Sequence, residues 1–293
     1  MPELPDITVY VERLDAKVRG DVLKRLRLLN PFLLRTAVPP IAQAEGRRVV
    51  CVERLGKRVV LVLEGELFLV IHLMIAGRLR WLAAGAKPPG RIALATFEFG
   101  AGTLVLTEAG TQRRASLHLV EGRAALAALD PGGLDVQATD AATFAARLAL
   151  ENHTLKRALT DPHLFSGIGN TYSDEILHRA KLSPVMLTRV LDADQVRRLF
   201  DATRTVLDEW TARLRTEAGD WPDKVTAFRP GLAVHGRFGQ PCPVCGAPVQ
   251  RIVHADNESN YCARCQTGGK LLADRALSRL LKASWPKRID DLE

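Results

Sequence analysis

Residues 58–79 read RVVLVLEGELFLVIHLMIAGRL. The apolar run Val59–Leu63 is followed by Glu64-Gly65-Glu66 and then by a second apolar run, Leu67–Ile71. Charge and glycine recur here at strand-like intervals, so the stretch falls short of the roughly 18 to 20 apolar residues a membrane helix needs. It predicts strands instead. Similar runs lie on either side: RRVVCVERL before it, RIALATFEFG and GTLVLTEA after it, separated by Gly-containing turns. With the helical ITVYVERL in front, residues 1–130 are expected to form a sheet-rich domain. The cluster LDPGGLDVQ at 129–137 marks a boundary. Beyond it ATFAARLALEN, LKRALTD, YSDEILHRAKL and DADQVRRLFDATRTVLDEWTARLRT have helical spacing, which predicts a helical segment from 137 to about 225.

The chain has 293 residues, 47% of them hydrophobic, and can bury a substantial core. Its net charge of +8 and pI near 9.5 suit a polyanionic partner, although a basic enzyme of any kind fits them too. No signal peptide precedes PELPDI, so a cytoplasmic product is expected. The cysteines say more than the charge. Cys242-x-x-Cys245 and Cys262-x-x-Cys265 have the spacing of a four-cysteine zinc ribbon. Four thiolates close a tetrahedral site and leave no position for water, which predicts one structural zinc. Disulfides or plain buried thiols are the competing reading, disfavoured by the expected compartment and by the spacing. Cys51 is read as a strand residue of the core.

Two further segments carry chemistry. PELPD at 2–6 fits a stiff entry into a first helix, with Pro5 in its first turn and Asp6 at its positive end. It fits equally a chain end that reacts. GIGN at 167–170 lies between helical segments, and its glycines suit a turn that offers backbone N–H groups to a phosphate. A plain helix–turn–helix corner packed in the core is the alternative. Asp174 and Glu175 just beyond it are expected to serve helix initiation and local hydrogen bonding.

Together PELPD, RLGKRVVLVL, IHLMIAGRLR, GIGNTYSDEIL and the CPVC to YCARCQ ribbon stand in the order found in the formamidopyrimidine-DNA glycosylase and endonuclease VIII family, which the chain resembles over almost its whole length. The resemblance implies an α+β multidomain fold. It would comprise an N-terminal β-sandwich with flanking helices at 1–130, a helix-two-turn-helix domain at 131–234, a zinc hairpin at 235–267 and an amphipathic tail at 268–293. It implies a bifunctional base-excision repair enzyme, a DNA glycosylase and abasic-site lyase acting on oxidised bases in double-stranded DNA, with purines such as 8-oxoguanine favoured. A monomer with no membrane association is expected.

By the same resemblance, Pro2 freed by methionine removal is the amine that attacks C1′. An α-amino group, with a pKa near 7.7–8.0, is neutral far more often at pH 7 than a lysine. Glu3 would transfer protons at the opening sugar, and Lys57 would contact phosphate or base at the lesion. Met74 would fill the gap left by the flipped base, and Arg113, with Arg114 beside it, would face the orphaned opposite base. Lys156 and Asn170 would grip phosphates. Three positions depart from the family pattern: Ala115 where an aromatic wedge is usual, Asn257 in place of the hairpin's phosphate-binding arginine, and Asp6 in place of glutamate. A damage- or abasic-site-binding protein with weak or absent excision is therefore the alternative, and a zinc-ribbon adaptor without chemistry is a third reading that leaves PELPD unexplained. The tail KLLADRALSRLLKASWPKRI is expected to pack on its own protein.

Overall fold

The computed structural model describes residues 1–110, 112–254 and 257–292, the side chains at 254, 257, 275–277 and 283 apart. Packing divides the chain into a unit of Met1–Pro131 with Trp210–Thr226, and a second of Gly132–Glu209 with Ala227–Glu293.

In the first unit α1 (Leu4–Val18) starts with a proline in its first turn and Asp6 near its positive end, and finishes with Lys17 in its last turn. Ile7, Tyr10, Leu14 and Val18 recur at helical spacing and are all buried against the sheets. The strands follow as β1 (Arg25–Leu28), β2 (Val49–Leu55), β3 (Arg58–Leu63), β4 (Leu67–His72), β5 (Gly77–Leu82), β6 (Ala93–Glu98), β7 (Thr103–Glu108) and β8 (Ser116–Glu121), and the short α2 (Arg123–Ala127) closes the series. They make two four-stranded antiparallel sheets, β1-β6-β7-β5 and β2-β3-β4-β8. This is the expected β-sandwich.

The hairpin of β3 and β4 pairs Arg58 with His72 at one end and Leu63 with Leu67 at the other. Val59, Leu61, Leu63, Leu67, Leu69 and Ile71 point into the main core. Their neighbours Val60, Val62, Phe68 and Val70 pack on the opposite face with Val120 and Leu126, the latter from α2. Both faces are covered, which is why the sequence there is a continuous apolar run and not an alternation. Cys51 is only half-buried, on the rim of this second cluster.

Trp210–Thr226 belongs to this unit through side chains far apart in sequence. Leu214 and Ala218 pack on Val9, Arg215 makes a two-pronged pair with Glu12, and the Trp221 ring lies 5.8 Å from Tyr10 and 6.0 Å from Trp81. The expected division at 130/131 and 234/235 follows the sequence pattern, whereas packing draws this segment back to the sheets.

The second unit contains α3 (Ala141–Leu148), α4 (Leu155–Thr160), α5 (Asn170–Ala180) and most of α6 (Ala193–Ala218). Asp140 caps α3 by accepting from the Thr143 N–H at 2.8 Å, and Thr154 caps α4. Phe144 brings the helices together, with its ring 4.8 Å from Phe165 and 5.4 Å from Phe200. The ribbon follows as β9 (Gln250–His254) paired antiparallel with β10 (Asn257–Tyr261), then α7 (Ala263–Thr267). The tail is more broken than its leucine spacing suggests. It holds a short α8 (Arg275–Leu281), 3-10 turns and a bridge between Lys270 and Arg288. Leu271 and Ile289 bury against Ile252, Tyr261 and Ala263, so the tail covers the ribbon. Among the described residues no helix is long and apolar enough to cross a membrane.

Candidate active site and metal centre

Pro2 and Glu3 are both buried at the start of α1. Glu3 is the helix N-cap and forms a reciprocal box with Asp6: its backbone N–H donates to Asp6 Oδ2 at 2.9 Å, while its carboxylate accepts the Asp6 N–H. Asp6 thus does what a longer glutamate would do, and the departure from the family pattern leaves Glu3 held. Burial lowers the pKa of the amine at this end, carried by Met1; Arg78 and Lys57 add to the shift while Glu3 and Asp6 oppose it. Lys57 lies in the tight turn between β2 and β3. Burial pushes its ammonium below the ordinary lysine value and the Glu3 charge pulls the other way.

The sequence reading passed over His72, which pairs with Arg58 across the hairpin next to Lys57. Burial, then the charges of Arg58, Lys57 and His118, push its pKa down to about 4. This end of the hairpin therefore gathers Lys57, Arg58 and His72, with Glu3 acting on Lys57 and Asp130 on Arg58.

Met74 lies in the turn after β4 and not within a strand, half-buried and with φ at 52°. A methionine in the left-handed region is uncommon and strained. The turn is pinned by Arg78, whose guanidinium donates to the carbonyls of Ile75 at 3.2 Å and Gly77 at 2.7 Å and, through Nε, to Val225 at 2.7 Å. Gly77 is required, since a Cβ there would meet the Leu73 carbonyl oxygen at 2.2 Å.

Arg113 and Arg114 are exposed beyond β7. Arg113 donates to the Arg91 carbonyl at 2.7 Å and Arg114 to Gln112 Oε1 at 2.6 Å. Ala115 is 3% exposed, so its side chain is part of the core and does not stand in for a wedge. Buried Glu108 holds this segment by accepting the Arg114 and Ala115 N–H groups at 3.2 and 3.1 Å, a role no local pattern signals.

In the second unit the GIGN turn enters α5, with Gly167 at φ 81° and Asn170 as first helical residue. The Asn170 amide donates to the Glu258 carbonyl on β10 at 2.9 Å. Lys156 is not a free cation: its ammonium donates to the Asn170 carbonyl at 2.7 Å and pairs with Asp174 at 2.6 Å. Asp174 is fully buried and also bonds His235 Nδ1 at 2.8 Å. Glu175 accepts the N–H groups of Ala233, Val234 and His235 at 2.7–2.9 Å, although burial raises its pKa. The expectation that these two acids serve helix initiation is corrected. They fasten the 233–235 segment to α5, and their partners lie about 60 residues away. The backbone of Asn257 pairs with His254, and its side chain lies outside the described residues.

The two cysteine turns bring their sulfurs together. Cys242 and Cys265 Sγ are 3.9 Å apart, and Cys245 and Cys262 Sγ 3.3 Å. A tetrahedral ion with Zn–S bonds of 2.3 Å spaces its sulfurs by roughly 3.8 Å, so the four thiolates fit one structural zinc. His178 on α5 stands beside them. Its ligand atom and those of Cys242, Cys262 and Cys265 all lie within 4.8 Å of one another.

Three family models match in sequence order. They are the formamidopyrimidine-DNA glycosylase N-terminal domain at residues 1–117, its H2TH domain at 129–217, and a zinc finger found in FPG and IleRS at 239–268. A formamidopyrimidine-DNA glycosylase of Thermus thermophilus is 35% identical over 284 residues, covering 92% of this chain and 100% of the relative. An uncharacterised glycosylase-like protein of Mycobacterium tuberculosis is 44% identical over 156 residues, 53% of this chain and 95% of that one. Among solved structures, the Fpg protein of T. thermophilus superposes with a TM-score of 0.76 at 33% identity over 90% of this chain and 98% of that one. A Lactococcus lactis Fpg in complex with abasic-site DNA shares the fold, with a TM-score of 0.81 at 22% identity over 90% of this chain and 99% of that one. The chain belongs to the formamidopyrimidine-DNA glycosylase and endonuclease VIII family, DNA N-glycosylases with abasic-site lyase activity that work in base-excision repair.

Proposed function

We propose that this enzyme excises oxidised bases, purines such as 8-oxoguanine foremost, through a Schiff base on Pro2, and then cuts the strand by β- and δ-elimination. The observation that carries the reading is the burial of Pro2 and Glu3 together at the head of α1, in surroundings that lower an amine's pKa. The neutral secondary amine donates its lone pair to C1′ as the C1′–N bond breaks and the base leaves with the bonding electrons, and the nitrogen's own proton passes to the Glu3 carboxylate. Glu3 protonates the ring oxygen as the sugar opens and the iminium forms. The iminium acidifies the neighbouring C–H bonds, so the 3′ and then the 5′ phosphate depart with their bonding electrons.

Lys57 and His72 would bind phosphate beside the lesion, Met74 would fill the vacated stack, and Arg113 would meet the opposite base once released from the Arg91 carbonyl, with Arg114 flanking it. Asn170 and Asn257 would contact phosphates further along. Lys156 would act there through Asn170, whose carbonyl it holds. Burial of Ala115 supports a relaxed choice of opposite base, and it is also what keeps the damage-binding alternative in play.

Borohydride trapping on duplexes with an abasic site or 8-oxoguanine tests this, using wild type, Pro2→Gly and Glu3→Gln. Adducts on both duplexes are expected from the wild type, with a large loss in Pro2→Gly and failure of Glu3→Gln on the intact lesion. Adducts on the abasic duplex alone would remove 8-oxoguanine as substrate. Tight binding without any adduct would favour the binding protein.

A further inference from the structure

His178 has no part in the chemistry proposed above, yet it is 6% exposed and its Nε2 lies 3.3 Å from Cys242 Sγ. It comes from the last turn of α5, and Cys242 lies 64 residues further on. The ribbon's own four thiolates, whose paired sulfurs stand 3.3 and 3.9 Å apart, would fill the corners of a tetrahedral zinc. The imidazole is a fifth group at hydrogen-bonding distance from one of them. A zinc-bound thiolate can only accept, so Nε2 must carry the hydrogen.

We infer that His178 donates an N–H···S hydrogen bond to the zinc-bound Cys242 thiolate and is a positioning residue for the metal centre, not a ligand. A zinc ion with four thiolates has a net charge of −2, and Cys242 and Cys262 are buried. A donor aimed at one sulfur takes up part of that charge, makes the sulfur less prone to protonation or alkylation, and fixes its orientation. It also ties the ribbon to α5, the helix that begins at Asn170 and carries Asp174 and Glu175.

The test uses the full chain as wild type, His178→Phe and His178→Gln. Phenylalanine fills the space without a donor, and glutamine keeps an N–H within reach. The readouts are zinc content, the rate of zinc transfer to a chromogenic chelator, and the absorption spectrum after replacement by Co2+. We expect one metal per chain and a four-thiolate Co2+ spectrum in all three. We expect zinc loss faster by about tenfold or more in His178→Phe, with His178→Gln close to wild type. A wild-type spectrum of three thiolates and one imidazole, altered by either substitution, would make His178 a ligand and overturn the inference. Release at the wild-type rate from His178→Phe would reduce the residue to packing. Should His178→Phe fail to fold, the wild-type spectrum decides ligation, and release from His178→Gln no slower than from a His178→Ala variant would overturn the hydrogen bond.

Discussion

Asp6 and Glu3 hold one another at the head of α1, so a residue expected to tune the reaction also starts the helix. Asp6→Ala removes one arm of the box and should cost about 1 kcal/mol, read by denaturant unfolding. It should also slow base excision more than cleavage of a ready-made abasic site, because Glu3 loses its anchor; equal slowing of both would confine Asp6 to capping. His72 makes a separate prediction. The unfolded chain takes up this proton near 6.5 and the folded chain only near 4. Between those values the unfolded state holds more protons, so stability is full above 6.5 and falls as pH drops towards 4. His72→Gln should flatten the curve of stability against pH in that window, and an unchanged curve would mean that other groups carry the acid response.

Elements turn these residues into a site. The turn after β4 presents Met74 because Gly77 allows the chain to pass 2.2 Å from where a Cβ would meet the Leu73 carbonyl. Gly77→Ala should therefore destabilise by about 1–3 kcal/mol. Met74→Ala should leave the melting temperature nearly unchanged and slow excision from duplex far more than cleavage of a single-stranded abasic site. On α5, Asp174 pairs with Lys156 and His235 with no exposure of its own. Asp174→Asn keeps the shape but leaves Lys156 without its counter-charge. A loss of about 3 kcal/mol or more, measured by calorimetry, is expected. The sequence told where α5 begins, since GIGN is a local signal. It was silent on what its acids do, because Glu175 and Asp174 find partners at 233–235 that no local window contains.

Across the molecule, the sandwich and the ribbon hold together by different means. The sheets have a large core from β1 to β8 and α1. The ribbon has one small cluster of Val234, Cys242, Ala247, Val249 and Cys262 and shares another with the tail, together too small to fold without help. Chelation of zinc should therefore abolish amide protection in 239–268 while the strands of both sheets keep theirs, as hydrogen exchange would show. Loss of protection throughout would mean that the metal supports the whole chain. With a net charge of +8, binding to undamaged duplex should weaken steeply as salt rises.

The amino-acid sequence by itself determined the features whose signals are local. The apolar hairpin at 58–72 marks the sandwich, PELPD the start of α1, GIGN the entry to α5, and the paired cysteines the zinc site. Each rests on spacing within a few residues or on chemistry carried by residue type. Only the tertiary structure decided that Lys156 is already paired, that Ala115 is core, that Glu108 turns back onto the 114–115 backbone, that Glu175 holds backbone about 60 residues away, that Trp210–Thr226 returns to the sheets, and that His178 reaches Cys242. Those outcomes depend on which side chains share a buried space after folding, where an unpartnered polar group is costly and a long-range partner is chosen by packing, not by position along the chain.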